Sequence, residues 1–478
     1  MKKIVIIGGG ISGLSTAYYL KKFLAAKELP VEITIIEKSE NLGGQIVTIR
    51  KDGFTFETGP DCFISEKPWA LRLCKEIGLE NDFACTKEEN KKTFILNKGR
   101  LDEMPEGFMM MVPTRIEPFL KSPLISFEGK IRMCMDLIIP RKKDNNDESL
   151  GSFVRRRLGE EVLDKIAEPL VAGIHAGNPE TMSLKNTFPR FLEMEQKYGS
   201  VIKGMLAGME NKNPPISPFK KGGLKGDLKK TFFMSLKDGL AELTDKLQEL
   251  LRPDIKIITN NKVLSISQSE CLYDIETENA LIKDVDIVIV TTPAYIAGHL
   301  VKNFDDELSS VLLDFPYASS ATVSIGFKRS EVAHPLQGFG FLVPSAEHRK
   351  IMATTWTSSK WPYRAPEDCV LLRCFLGGAM NEKMACLPEN EIIKTTLDEW
   401  KEIMGISAKP VIQKAHCWIK CMPQYVMGHE KTVEKIDKLA SRHPGLIING
   451  NYLRGVGIPD CIHNSELIAQ KIAEFLKY

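Results

Sequence analysis

Three glycines carry the first chemistry in this chain. In "KKIVIIGGGISGLSTAYYL", Gly8, Gly10 and Gly13 stand at G-x-G-x-x-G spacing. Glycines so placed serve a diphosphate. Gly8 permits a tight turn, Gly10 lets backbone approach a pyrophosphate, and Gly13 lets a helix pack close to a strand. Gly9, Ile11, Ser12 and Leu14 fill in the turn and the start of the helix. A helix N-terminus there offers free N–H groups and a positive dipole end. Glu37 ends the next apolar run, "VEITIIE", 24 residues after Gly13. An acid at that distance accepts hydrogen bonds from ribose hydroxyls and repels a 2′-phosphate.

A second set of glycines follows. Gly43 and Gly44 form a doublet six and seven residues past Glu37. Such a doublet lets backbone approach another stretch of an extended dinucleotide. Gln45 comes next, a neutral amide able to hydrogen-bond a phosphate without offsetting its charge. Lys38 is a cation nearby in sequence. Gly59, Pro60 and Asp61 then make a further turn in "ETGPD". At the far end, "NGNYLRGVGIPDCI" places Asn451, Arg454, Gly455, Val456, Gly457 and Ile458 between an apolar run and a helical pattern. It reads as strand, glycine loop and terminal helix, starting between Ile458 and Cys461.

The elements that must hold these residues are legible. Ile4–Ile7 is a short apolar run, as in a strand buried on both faces of a parallel sheet. Leu14, Ala17, Leu20 and Leu24 recur at helical spacing. The expected architecture is α/β: a Rossmann-like nucleotide domain built from residues 1–85, 225–298 and 425–478. Residues 86–224 read as a mainly helical insertion, broken at Pro105, Pro113, Pro118, Pro123 and Pro140. Residues 299–424 carry strand runs, "ATVSIGFKR", "GFGFLV", "IMATTW" and "CVLLRCFLGG", and read as a substrate-binding sheet domain. "KNPPISPFKKGGLKGDLKK" reads as a mobile loop.

Bulk properties exclude several classes. The net charge of +2 and the lack of a basic stripe with interleaved aromatics speak against nucleic acid. Eleven cysteines are an odd number, without a repeated C-x-x-C. "HCWIKC" is a single cluster where a zinc site wants two, so no metal is expected. No apolar run reaches the ~18 residues of a membrane span, and the N-terminal apolar run is a strand with its glycine turn. A cytoplasmic protein with reduced thiols is expected.

Taken together, the motifs resemble the protoporphyrinogen oxidases. These are FAD proteins of the monoamine-oxidase-like superfamily, which share the second glycine doublet. "FVRRRLGEEVLDKIAEPLVAGIHAGNPETMSLKNTFPRF" resembles their helix leading into G-I-x-A-G, Leu-Ser and aromatic-Pro. "MSLKDGLAELTDKL", "VDIVIVTTPAYIAGHL" and "GVGIPDCI" resemble their later FAD segments. Length and wording are most similar to the Gram-positive bacterial branch, whose substrate is thought to be coproporphyrinogen III. Relatives elsewhere act on protoporphyrinogen IX.

The resemblance implies FAD as cofactor. It implies a backbone contact to the adenine end of FAD at Val263 and flavin contacts at Trp418 and the C-terminal loop; composition alone serves Val263 equally well as an ordinary strand residue. Many relatives carry Arg or Lys after the doublet, where this chain has Gln45. The S-G-G-C motif of covalent flavoproteins is absent, so FAD is expected to be non-covalent. Lys67, just past the Gly59 turn, and Arg454, beside the glycine loop, are candidates for the substrate carboxylates, with Lys91 and Lys92 less favoured. Ile174 is a candidate cleft-lining residue or simply core.

The implied chemistry is hydride transfer from a porphyrinogen methylene bridge to flavin N5, then reduction of O2 to hydrogen peroxide, over three rounds. No protein base is required, and no catalytic residue is assigned. The start of the C-terminal helix is expected to face the flavin edge that gains negative charge. A flavin amine oxidase of the same fold is the rival reading, and a flavin-binding protein without oxidase activity a second. Peripheral membrane contact through residues 107–140 stays open, against cleft lining, as does partnership with downstream heme-pathway enzymes.

Overall fold

The computed structural model describes residues 1–27, 30–109, 111–113, 115–144, 146–210 and 231–476. The loop over residues 212–230 expected to be mobile lies outside the described residues.

Ile4–Ile7 do sit in a strand covered on both faces. Ile4 and Ile6 pack into one apolar cluster, Val5 and Ile7 into another. The strand Lys2–Ile7 is the middle of a five-stranded parallel sheet. Val31–Ile36 lies on one side of it, with Lys256–Ile258 beyond. Ile287–Val290 lies on the other, with Leu446–Ile448 beyond. The order therefore reverses at the first strand, and the carboxyl ends of a reversing sheet open a crevice. The Gly8–Gly13 turn sits at that end.

Two helices cover one face side by side. The first, Ile11–Ala25, contributes Leu14, Ala17 and Leu20; the last, Ile458–Phe475, contributes Ile462, Ala469 and Ile472. Ser465 Oγ donates to Ser12 O at 2.9 Å near their N-termini, and Lys27 Nζ to Ala473 O at 2.8 Å near the other ends. The helices run parallel, so both positive ends point to the same crevice.

The expected strand runs form a second, seven-stranded sheet. Its order is Ile412–Pro423, Tyr317–Lys328, Cys369–Gly377, Ala353–Thr355, Gly340–Leu342, Thr93–Asn97, Arg100–Glu103. The last two strands are a departure from the mainly helical reading of residues 86–224. "TFILNKGRLDE" is a hairpin whose turn residues Lys98 and Gly99 both have positive φ, at 53° and 75°. It completes the sheet because Thr93–Asn97 pairs with Gly340–Leu342.

From Ile116 to Glu210 the chain is mainly helical around its own apolar cluster. A buried ionic knot braces it. Arg157, fully buried, lies 2.5 Å from Asp136 and 3.5 Å from Glu195.

Candidate functional site

At the carboxyl end of the first strand the phosphate turn is set by close packing. Gly8 has φ +109° and accepts the Thr291 hydroxyl on its carbonyl at 3.0 Å. A Cβ on Gly13 would lie 2.0 Å from Gly8 O, so that position admits only glycine. Gly10 differs. A Cβ there would meet only Gly44 Cα, at 3.8 Å. Nothing in the protein requires glycine at Gly10, so the bare backbone there leaves room for a group outside the chain to approach.

The glycine doublet faces this turn. Gly43 N donates to Gly9 O at 2.8 Å, and Gly43 and Gly44 have φ of +112° and +61°. Two backbone stretches without side chains thus border one groove. Glu37 sits beside it, accepting from Gly9 N at 2.8 Å and Ser39 N at 2.9 Å. Asn261 N donates to Glu37 O at 3.0 Å and brings the start of the strand Val263–Ser269 to the same end. Ile11 is half-buried, Ser12 and Leu14 are buried, and Lys38 is exposed. A bare backbone groove, an adjacent helix N-terminus and an acid at its rim fit an adenosine diphosphate half of FAD.

The other end of the crevice is built by the C-terminal loop. Gly455 has φ +95° and precedes the helix beginning at Ile458, within the expected range. Tyr425 braces this loop and escaped the sequence reading. Its hydroxyl donates to Asn451 O at 2.6 Å and accepts from Gly455 N at 2.7 Å. His429 stacks on Tyr425 at 3.9 Å and bonds Leu453 O at 2.9 Å. Val456 and Gly457 are half-buried on the same loop.

Lys67 comes to this loop from the other side. Its ammonium lies 2.6 Å from both oxygens of Asp460, in the first turn of the C-terminal helix. Asp460 was also missed, although an acid just inside a helix start is a readable signal. Burial, then the Lys67 charge, push the His175 ring down to about 4. His175 O accepts from Gln424 Nε2 at 3.1 Å, and the exposed Ile174 precedes it. The "AGIHAGN" turn, Lys67 and the glycine loop therefore converge.

Trp418 borders the Gly59 turn: its indole donates to Thr58 O at 2.7 Å, and a Cβ on Gly59 would lie 3.7 Å from the ring. His416, Cys417 and Cys421 share its strand, and no group of three or more metal-ligating side chains occurs among the described residues. All eleven cysteines are free.

Three of the expected site residues have side-chain partners within the chain. Gln45 donates one amide N–H to Cys421 O at 2.9 Å and so ties the doublet to the second sheet. Arg454 is an exposed surface cation paired with Asp437, because the loop turns its side chain outward. Asp61 directs its carboxylate to Lys360 Nζ at 3.2 Å and Trp361 Nε1 at 3.1 Å, while Pro60 and Gly59 remain half-buried in the turn.

Residues 11–473 match the family model for flavin containing amine oxidoreductases. The chain is 37% identical to coproporphyrinogen III oxidase of Bacillus subtilis, over 99% of this chain and 98% of that one. A crystal structure from Exiguobacterium sp. 255-15, provisionally named a protoporphyrinogen oxidase, superposes with a TM-score of 0.86. It is 30% identical, covering 99% of this chain and 98% of the other. Cyclohexylamine oxidase from Brevibacterium oxydans shares the fold alone, with a TM-score of 0.69 and 13% identity over all of both chains.

Proposed function

The chain belongs to the flavin containing amine oxidoreductases, its cofactor is FAD, and we propose that it oxidises coproporphyrinogen III to coproporphyrin III. The full-length 37% identity to the Bacillus subtilis enzyme carries this reading. Protoporphyrinogen IX is the alternative substrate within the same reaction. The amine oxidase reading has less support, since it rests on family membership and a shared fold.

In this reading the parallel sheet with the first and last helices holds the nucleotide. The seven-stranded sheet and the helical region between residues 116 and 210 flank the substrate. The Gly8–Gly13 turn, Glu37 and the Gly43–Gly44 doublet would hold the diphosphate and ribose. The Asn451–Ile458 loop, the Gly59 turn and Trp418 would hold the ring, without a covalent bond. Bound FAD supplies a hydride acceptor that is reoxidised by dioxygen with release of peroxide. The chain's own residues orient. The Tyr425 hydroxyl fixes the loop. Lys67 offers a cation to a substrate carboxylate, in competition with Asp460. Ile174 presents an apolar surface to the macrocycle.

Removing six electrons takes three two-electron rounds and consumes three dioxygen molecules per porphyrin. The pyrrole nitrogens make each bridge carbon a ready hydride donor, so no protein base is assigned. No helix among the described residues is long and apolar enough to cross a membrane.

The test is an oxidation started from anaerobic enzyme with each porphyrinogen in turn, read by porphyrin fluorescence and peroxide. Fluorescent coproporphyrin with three peroxides per product is expected. Peroxide from amines without porphyrin formation would overturn the proposal.

A further inference from the structure

Arg190 is a half-buried cation whose N–H groups have no acceptor. It follows Pro189 at the start of the helix Pro189–Tyr198, and its side chain is 29% exposed. The nearest acid is Glu66, whose Oε2 lies 3.8 Å from Arg190 Nη1, beyond hydrogen-bond reach. Among the described residues the guanidinium makes no hydrogen bond and no other ion pair.

Exposure does not account for this. Arg156 is just as exposed, at 29%, yet it donates to Glu148 at 2.7 Å and to Glu195 at 2.7 and 3.0 Å. The buried Arg157 and Arg364 each bond three or more acceptors. In this fold a guanidinium withdrawn from water is otherwise matched to acceptors. Arg190 has five N–H donors and none is matched. Charged donors left so are costly until an anion meets them.

The placement says which anion. Glu66 directly precedes Lys67, so Arg190 stands beside the segment that carries the first substrate cation. Phe188, two residues before Arg190, meets the His175 ring edge-on at 5.7 Å. His175 lies in the field of Lys67 and follows the exposed Ile174. Ser65 N donates to Phe232 O at 2.9 Å, which brings the exposed Phe232 to the same segment. Exposed apolar side chains with two cations among them suit a large apolar ring that carries carboxylates.

The two cations differ in what a carboxylate must displace. Lys67 already lies 2.6 Å from both oxygens of Asp460. Arg190 faces Glu66 across 3.8 Å, so its planar fork can take a carboxylate through two parallel N–H···O bonds without breaking one.

We propose that Arg190 binds a carboxylate of the porphyrinogen, as a second cation beside Lys67, and is a determinant of specificity for the charged side chains of the ring. This rests on the porphyrinogen reading above and adds to it a residue that recognises the substrate's charge.

The FAD-loaded enzyme is assayed with coproporphyrinogen III and with its tetramethyl ester, the same ring without charge. Arg190→Gln should raise KM for coproporphyrinogen III at least about tenfold, with a smaller change in kcat. KM for the ester should stay within about twofold of wild type. Arg190→Lys keeps the charge without the fork and should recover part of the loss. An unchanged KM for coproporphyrinogen III, or an equal rise for acid and ester, overturns the proposal and leaves the porphyrinogen reading standing. Wild type that oxidises neither substrate overturns both. Should the Arg190 variants fail to fold, Glu66→Gln decides. Removal of the opposing acid should lower KM for coproporphyrinogen III about two- to fivefold, and a KM at or above wild type overturns the proposal.

Discussion

The Lys67 ammonium lies 2.6 Å from both carboxylate oxygens of Asp460, joining residues 393 positions apart. The pair sets the charge at the start of the C-terminal helix, where an unpaired acid would oppose negative charge building on a bound ring. It also means that any substrate carboxylate reaching Lys67 does so in competition. Lys67→Gln should raise KM for coproporphyrinogen III about tenfold with a smaller change in kcat, measured by porphyrin fluorescence. An unchanged KM would remove Lys67 from the substrate site.

Arg454→Gln should behave differently. The Arg454–Asp437 pair is exposed, and such pairs contribute about 0.2–1 kcal/mol. KM should stay within about twofold of wild type in the same assay, and a large rise would show that the loop reorients on binding.

Gly10→Ala and Gly13→Ala should separate binding from folding. The Gly10 Cβ has room in the protein, so the variant should keep its melting profile as apoprotein yet bind FAD at least about tenfold more weakly. At Gly13 the new methyl strikes Gly8 O, so the apoprotein itself should lose about 1–3 kcal/mol. Flavin titration and denaturant melts distinguish them.

Tyr425→Phe leaves Gly455 N and Asn451 O without the shared hydroxyl. A loss of about 1–3 kcal/mol is expected, felt mainly as weaker flavin retention on dilution. Retention equal to wild type would show that the loop is held without Tyr425.

His175 gives a pH dependence. Burial, and next the Lys67 charge, hold its pKa near 4, below the ordinary 6.5. The unfolded chain therefore binds more protons between these values, and stability falls as pH drops from about 6.5 to about 4. Ring titration by NMR should give the low value, and Lys67→Gln should move it upward. A titration near 6.5 in wild type would contradict this half-buried setting beside Lys67.

The nucleotide turn was readable because its requirements are local. Gly8 and Gly13 answer to φ and to contacts between the strand Lys2–Ile7 and the helix beside it. Glu37 follows at a distance set by one strand–helix–strand unit, and Ile4–Ile7 announce a strand covered on both faces. The start of the C-terminal helix after Gly457 was equally local. What escaped was decided by pairs brought together from far apart. Gln45 finds Cys421 O across 376 residues, and Arg373 reaches Gly59 O across 314. Residue type alone cannot say whether an Arg454 faces a crevice or an Asp437, nor that a tyrosine in "PQYVMGH" braces a loop 30 residues on. Spacing sets which backbone conformations are affordable, while the direction of a long polar side chain follows from which partner the packed chain places within hydrogen-bond reach.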